Sequence, residues 1–213
     1  MNTWTCKGLV AGTALAVLAG CDDIGQIDLG GAATPAPLLT AELGRGAVTL
    51  VPPDGYCIDQ RSLRASFALI ARCDTLGGET GLGQPLAIIT ATTVAALDGQ
   101  DVSPATLGAN GETVLNSTTT DTLTLAQVRG TPPGPGVRDV FWRAVGTIGT
   151  QAVGFAIYEA ADGPELGDDA PALLIQTMTR TQSQTAATQD KSATTPAKQS
   201  SKSGLAGLFQ RNL

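Results

Sequence analysis

The sequence predicts an α+β domain, a mainly antiparallel sheet with a C-terminal helix packed on it, flanked by disordered N- and C-terminal segments. Three observations carry this. Short β-rich runs recur from Ala47 onward, separated by Gly, Pro and Asp turn signals. Two such runs, Asp139–Val145 and Gln151–Tyr158, flank a Gly-containing connection, the pattern of a hairpin. Residues 170–179 then switch to helical spacing, and the chain beyond Thr181 becomes polar and of low complexity.

At the N-terminal end, residues 8–18 form an apolar run of h-region length behind Lys7, short of the ~20 residues a spanning helix needs. It closes in Leu18-Ala19-Gly20-Cys21. Small residues before a cysteine let the backbone enter a peptidase cleft and leave a thiol free for a glyceryl group. The stretch resembles the lipobox of bacterial lipoproteins. The resemblance implies a cleaved signal at 1–20, lipidation at Cys21 with palmitate-type chains, and attachment to the membrane, because two or more acyl chains anchor stably where one does not. It also implies a cell-envelope location facing the periplasm. Asp22 directly after the lipidated cysteine favours the inner over the outer membrane in enteric bacteria. The other reading is an ordinary signal h-region or short core helix with an accidental cysteine.

Residues 21–45 are expected to be a lipidated flexible tether, with Gly30-Gly31 and Thr34-Pro35-Ala36-Pro37 and no sustained apolar periodicity. The folded domain is expected over 46–180. Ala47–Val51 reads as a strand stopped by Pro52-Pro53-Asp54-Gly55, and Tyr56–Ile58 as a second. A helical turn over Asp59–Ala65 joins it to Ser66–Cys73, a run long enough for two helical turns whose period of two places Phe67, Leu69, Ala71 and Cys73 on one strand face. Strand is the preferred assignment. Pro85–Val94 is apolar and β-branched, the composition of a well-buried strand. Residues 98–136 are expected to be a long excursion with a local strand or helix, Thr122–Leu125 being the best alternation. The late hairpin follows. A helix over Ala170–Thr179 is capped by Asp168 or Asp169, tolerates Pro171 in its first turn and repeats Leu174, Ile175 and Met178 at helical spacing. Residues 181–203 read as a disordered linker. The short segment 204–213 is amphipathic, with Leu205, Leu208, Phe209 and Leu213 on one helical face. It could dock on a partner, on the membrane or on its own domain. The strand order with a late hairpin and closing helix over 47–180 is loosely similar to PsbP-like lipoprotein domains, by analogy and without a diagnostic motif.

Of four cysteines, Cys6 leaves with the signal and Cys21 takes lipid, so Cys57 and Cys73 remain in an oxidising space. The economical reading is a Cys57–Cys73 disulfide; two buried thiols or a redox pair are the alternatives, although the CxxC spacing that lowers a thiol pKa is lacking. Residues 22–179 hold eighteen acids and seven bases, a net −11, and residues 180–213 a net +4. An acidic body makes nucleic acid an improbable partner.

The chain contains no histidine, which removes the commonest general base, imidazole metal ligand and Ser-His-Asp arrangement. No Walker or GxGxxG loop stands in the right context, and two cysteines are too few for an iron–sulfur cluster. Carboxylate candidates for glycan hydrolysis are Asp98 with Asp101, and Glu165 with Asp168 and Asp169. A third option is a small-ligand carrier with an apolar cavity under the sheet. The expectation is a membrane-anchored periplasmic lipoprotein serving as a non-enzymatic binding or accessory module of the cell envelope, with no cofactor or metal and with an envelope protein partner. The partner surface would be the segment Leu205, Leu208, Phe209, Leu213, or Trp142. Trp142 and Phe141 point to opposite sheet faces, so one of them is open to exposure; an exposed Trp142 beside Arg143 would line a binding surface, while packing beneath the C-terminal helix is the preferred reading.

Overall fold

The structure is a computed structural model that describes residues 35–96, 103–108, 111–120 and 123–194. Its centre is a seven-stranded, wholly antiparallel sheet, built from β3 (Tyr56–Ile58), β4 (Phe67–Arg72), β5 (Ala87–Ala95), β6 (Thr113–Thr119), β7 (Leu123–Arg129), β8 (Val140–Ile148) and β9 (Gln151–Glu159). The order across it is β3-β4-β5-β9-β8-β7-β6. The meander β6 to β9 folds back so that β9 pairs with β5 along its whole length, Ala87 with Glu159 through Ala95 with Gln151. A separate hairpin, β1 (Ala41–Leu43) and β2 (Val48–Leu50), and a 26-residue helix, α2 (Asp169–Thr194), cover one face. The expected α+β architecture is the one observed.

Period-two burial explains the main core. Ala68 and Ile70 of β4, Ile89 and Ala91 of β5, and Val153, Phe155 and Ile157 of β9 all point to the covered side, where they meet Leu43, Val48, Leu50, Leu174 and Met178. A smaller cluster on the opposite face holds Ala126, Val128 and Phe141 under Leu107 of α1 (Pro104–Leu107).

Several expectations are corrected. The domain begins before residue 46, because Leu38 bridges Ile58 with paired backbone hydrogen bonds of 3.0 and 2.8 Å and β1 lies in the expected tether. The linker expected from Thr181 is instead helical to Thr194, since Thr181 and Thr185 are buried and hydrogen-bonded rather than solvated. Ile175 stands outside the buried stripe at 45% exposure, while Leu174 and Met178 pack as expected. β5 is half buried, not well buried: its residues alternate, with Ile88 at 41% and Val94 at 64% exposure on the far side. On β4 the fully buried face is that of Ala68 and Ile70, opposite to Phe67 and Leu69, which are half-buried. The excursion over 98–136 supplies two full strands of the sheet, β6 and β7, the first irregular because of a register shift between Val114 and Asn116. β8 runs through Ile148, so the connection of the late hairpin is Gly149-Thr150, with Gly149 at φ +56°.

Candidate functional site

Cys57 and Cys73 are joined in a disulfide that closes a sequence separation of 16 residues. It staples the edge strand β3 to the 3₁₀ turn Cys73–Leu76 that follows β4. Beside it, Arg72 grips Asp74 in a bidentate pair, both contacts 2.7 Å, and donates to the Gln84 carbonyl at 3.0 Å, tying the glycine-rich loop 77–83 to the sheet edge. The Arg72 hydrogen bonds hold the Asp74 carboxyl below the usual carboxylate range. Gly81 lies so close to the Gly55 carbonyl, 2.5 Å from where a Cβ would be, that only glycine fits. In this loop Gly78 and Gly81 are thus held by close packing, while Gly77 and Gly83 stand in open space at positive φ.

Trp142 is half-buried on the face covered by α2 and packs against the main core. Arg143, its neighbour in sequence, projects to the other face, where it donates to Glu112 at 2.7 Å and to the Leu107 carbonyl at 3.0 Å and lies 5.2 Å from the centre of the Phe141 ring. The two residues cannot share one binding surface. Phe141 is buried and rests on Tyr158 with ring centres 4.9 Å apart.

What Trp142 shares is a cleft of about 290 Å³, walled also by Gln127, Arg138, Glu159 and Glu165. Gln127 stands directly opposite Trp142 in the β7–β8 register, and Arg138 enters from the segment before β8. Arg138 donates to the Glu165 carboxylate at 3.1 Å and to the Gly163 carbonyl at 2.7 Å, with Glu159 3.7 Å from its Nε. The Leu166 N–H in turn donates to Glu159 at 3.0 Å. These bonds fix the loop between β9 and α2, so the cleft has a set shape, an aromatic wall and a carboxylate rim. Asp139 also lines the cleft and pairs with Arg129 at 3.5 Å, so its three acids meet two arginines. The surplus of one acid and the Trp142 ring suit a cationic side chain.

A second concavity, a groove of about 520 Å³, runs between Gln84-Pro85 and the first turns of α2, lined by Asp169, Leu173 and Ile175. Tyr56 donates to the Pro85 carbonyl at 2.7 Å beneath it. Of the acids grouped in the sequence, Glu165 lines the Trp142 cleft and Asp169 lines this groove. Asp98 and Asp101, Cys21, and the segment Leu205, Leu208, Phe209, Leu213 lie outside the described residues. Arg138, Glu159 and Gln127 were not singled out from sequence, since their convergence depends on strand register.

No protein-family model matches the chain, and no curated protein matches it. Among solved structures, the solution structure of cyanobacterial PsbP (CyanoP) from Synechocystis sp. PCC 6803 is similar over 76% of this chain and 96% of that chain, at a TM-score of 0.41 and 11% sequence identity. Likeness at that level transfers nothing about activity.

Proposed function

We propose that this chain is a lipid-anchored binding or accessory module of the bacterial cell envelope, without catalytic activity, held at the periplasmic face of the inner membrane through Cys21 and engaging an envelope protein through the Trp142 cleft. The observation that carries the binding reading is the cleft itself. Its carboxylates are spent on Arg138 and a backbone N–H, which shapes a pocket, and Trp142 supplies the surface for a basic segment of a partner. Glu165 and Asp169 also line different concavities rather than one cleft, which supports a binding reading over a carboxylate-pair hydrolase. The anchor reading is supported by Leu18-Ala19-Gly20-Cys21. Among the described residues no helix is long and apolar enough to cross a membrane.

The test places a photoreactive residue at Gln127 in cells fed an alkyne fatty acid. The full chain is expected to take the lipid label, stay in the membrane fraction and form one defined adduct. Cys21→Ser should lose label and membrane retention together. Trp142→Ala should keep both and lose the adduct. An adduct indifferent to Trp142 would overturn the cleft, and an unlabelled wild-type chain would overturn the anchor.

A further inference from the structure

The sheet is covered unevenly. Among the described residues, α2 and the β1–β2 hairpin close one face, while on the other α1 reaches only β6, β7 and the start of β8. Register places Phe67, Leu69, Ile88, Val94, Ala152 and Tyr158 among the residues of β4, β5 and β9 on the uncovered side. These three strands put no charged residue there. An antiparallel sheet that faces water normally alternates apolar-in with polar-out. Here the outward set is uncharged, and apart from Thr90 and Thr92 it is apolar or small, with Ile88 at 41% and Val94 at 64% exposure.

The end of α2 indicates an occupant. Gln189 Nε2 lies 3.5 Å from the Ala47 carbonyl and sits against Gly149 of the β8–β9 turn. At the same turn the Ala96 N–H donates to Thr150 at 2.9 Å, two residues beyond Val94. The last described turns of α2 therefore lie at the β8–β9 end of the sheet, beside the end of β5 that carries Val94. Ten residues later the chain presents Leu205, Leu208, Phe209 and Leu213 on one helical face, with Gln210 and Arg211 elsewhere. Ten residues following coil statistics would cover about 16–19 Å r.m.s., enough to round a sheet layer of about 10 Å. Nine helical residues extend about 13 Å, close to the width of three strands at about 4.8 Å spacing.

We infer that residues 205–213 fold back and lie across the open face of β4, β5 and β9, as an intramolecular strap that buries Ile88 and Val94 under Phe209 and its neighbouring leucines. The segment's basic and amide side chains then face water, and the uncharged sheet face is explained by what covers it. The inference does not depend on lipid anchoring or on the Trp142 cleft.

The experiment uses the soluble chain from residue 22 and the same chain ending at Ser203, with methyl-labelled isoleucine and valine followed by NMR. In the longer chain, Ile88 and Val94 methyls are expected to show cross-relaxation to the Phe209 ring at every dilution. Truncation should abolish these signals and shift both methyls, and Phe209→Asp in the full chain should reproduce that shift while thermal unfolding of the domain is unchanged. Identical Ile88 and Val94 resonances in the two chains would overturn the strap. So would contacts that vanish on dilution, which would mean a second copy, contacts that appear only on adding vesicles, or shifts centred on Ile175 instead.

Discussion

At the residue scale, Tyr56 couples the sheet edge to the groove beside α2. Its side chain is 2% exposed and its hydroxyl donates to the Pro85 carbonyl at 2.7 Å. Burial pushes its pKa up to about 12, opposed by Arg72 and reinforced by Asp169. A neutral group whose folded pKa lies above its unfolded value of about 10 contributes stability fully present below pH 10. That contribution is lost as pH rises through 12. The wild-type domain should therefore lose roughly 2–3 kcal/mol between pH 10 and 12 from this residue alone. Tyr56→Phe removes the hydrogen bond and should cost about 0.5–1.5 kcal/mol at neutral pH, yet flatten the alkaline slope. Urea unfolding at pH 7 and pH 11 measures both effects; equal alkaline slopes would show that the phenol is not what titrates.

At the element scale, the informative case is α2, whose first half is legible in sequence and whose second half is not. Leu174 and Met178 announce a buried stripe by hydrophobic periodicity. The stripe then continues as Thr177, Thr181 and Thr185, all buried, and composition alone marks such residues as solvated. Thr177 donates to the Leu173 carbonyl of its own helix at 2.7 Å, and the other two accept from β2 and the residue that follows it: Thr49 N–H donates to Thr185 at 2.9 Å and Val51 N–H to Thr181 at 3.1 Å. Among the described residues β2 pairs with β1 alone, so the helix completes its other edge with side chains. Nothing in the local sequence announces a pairing between residues 136 positions apart. Thr185→Val keeps the shape and leaves the Thr49 N–H buried without an acceptor, a loss of about 1–3 kcal/mol. Thr185→Ser retains the hydroxyl and should recover most of it. Thermal unfolding of the pair discriminates: equal losses would mean that the methyl group, not the hydroxyl, holds the helix down. The β-strands were more legible, because β5, β8 and β9 carry period-two patterns of their own, whereas β6 has a register shift and mainly exposed Ser, Thr and Asn, which read as loop.

At the scale of the whole molecule, sequence located the disulfide but not the cleft. Cysteine arithmetic needs only a count and a compartment, and it paired Cys57 with Cys73. The cleft needs Gln127, Arg138, Trp142, Glu159 and Glu165 brought together from β7, the segment before β8, β8, β9 and the loop before α2, and among these only Trp142 and Glu165 carry a signal of their own. The same distinction governs global stability. β3 is the edge of the seven-stranded sheet and only three residues long, so it depends on β4, on the Leu38 bridge and on the disulfide. Opening that bond frees the 16-residue separation it closes, which in the chain-entropy model weakens the fold by about 3 kcal/mol. Cys57→Ser with Cys73→Ser should therefore lower the urea midpoint by about that energy while leaving the core of β5, β8, β9 and α2 intact. Hydrogen exchange resolves the location: protection is expected to fall first in β3 and in the turn Cys73–Leu76, and least in β9. A uniform loss across all strands would show instead that the bond acts entirely through the unfolded chain and that the edge is not its own weak unit.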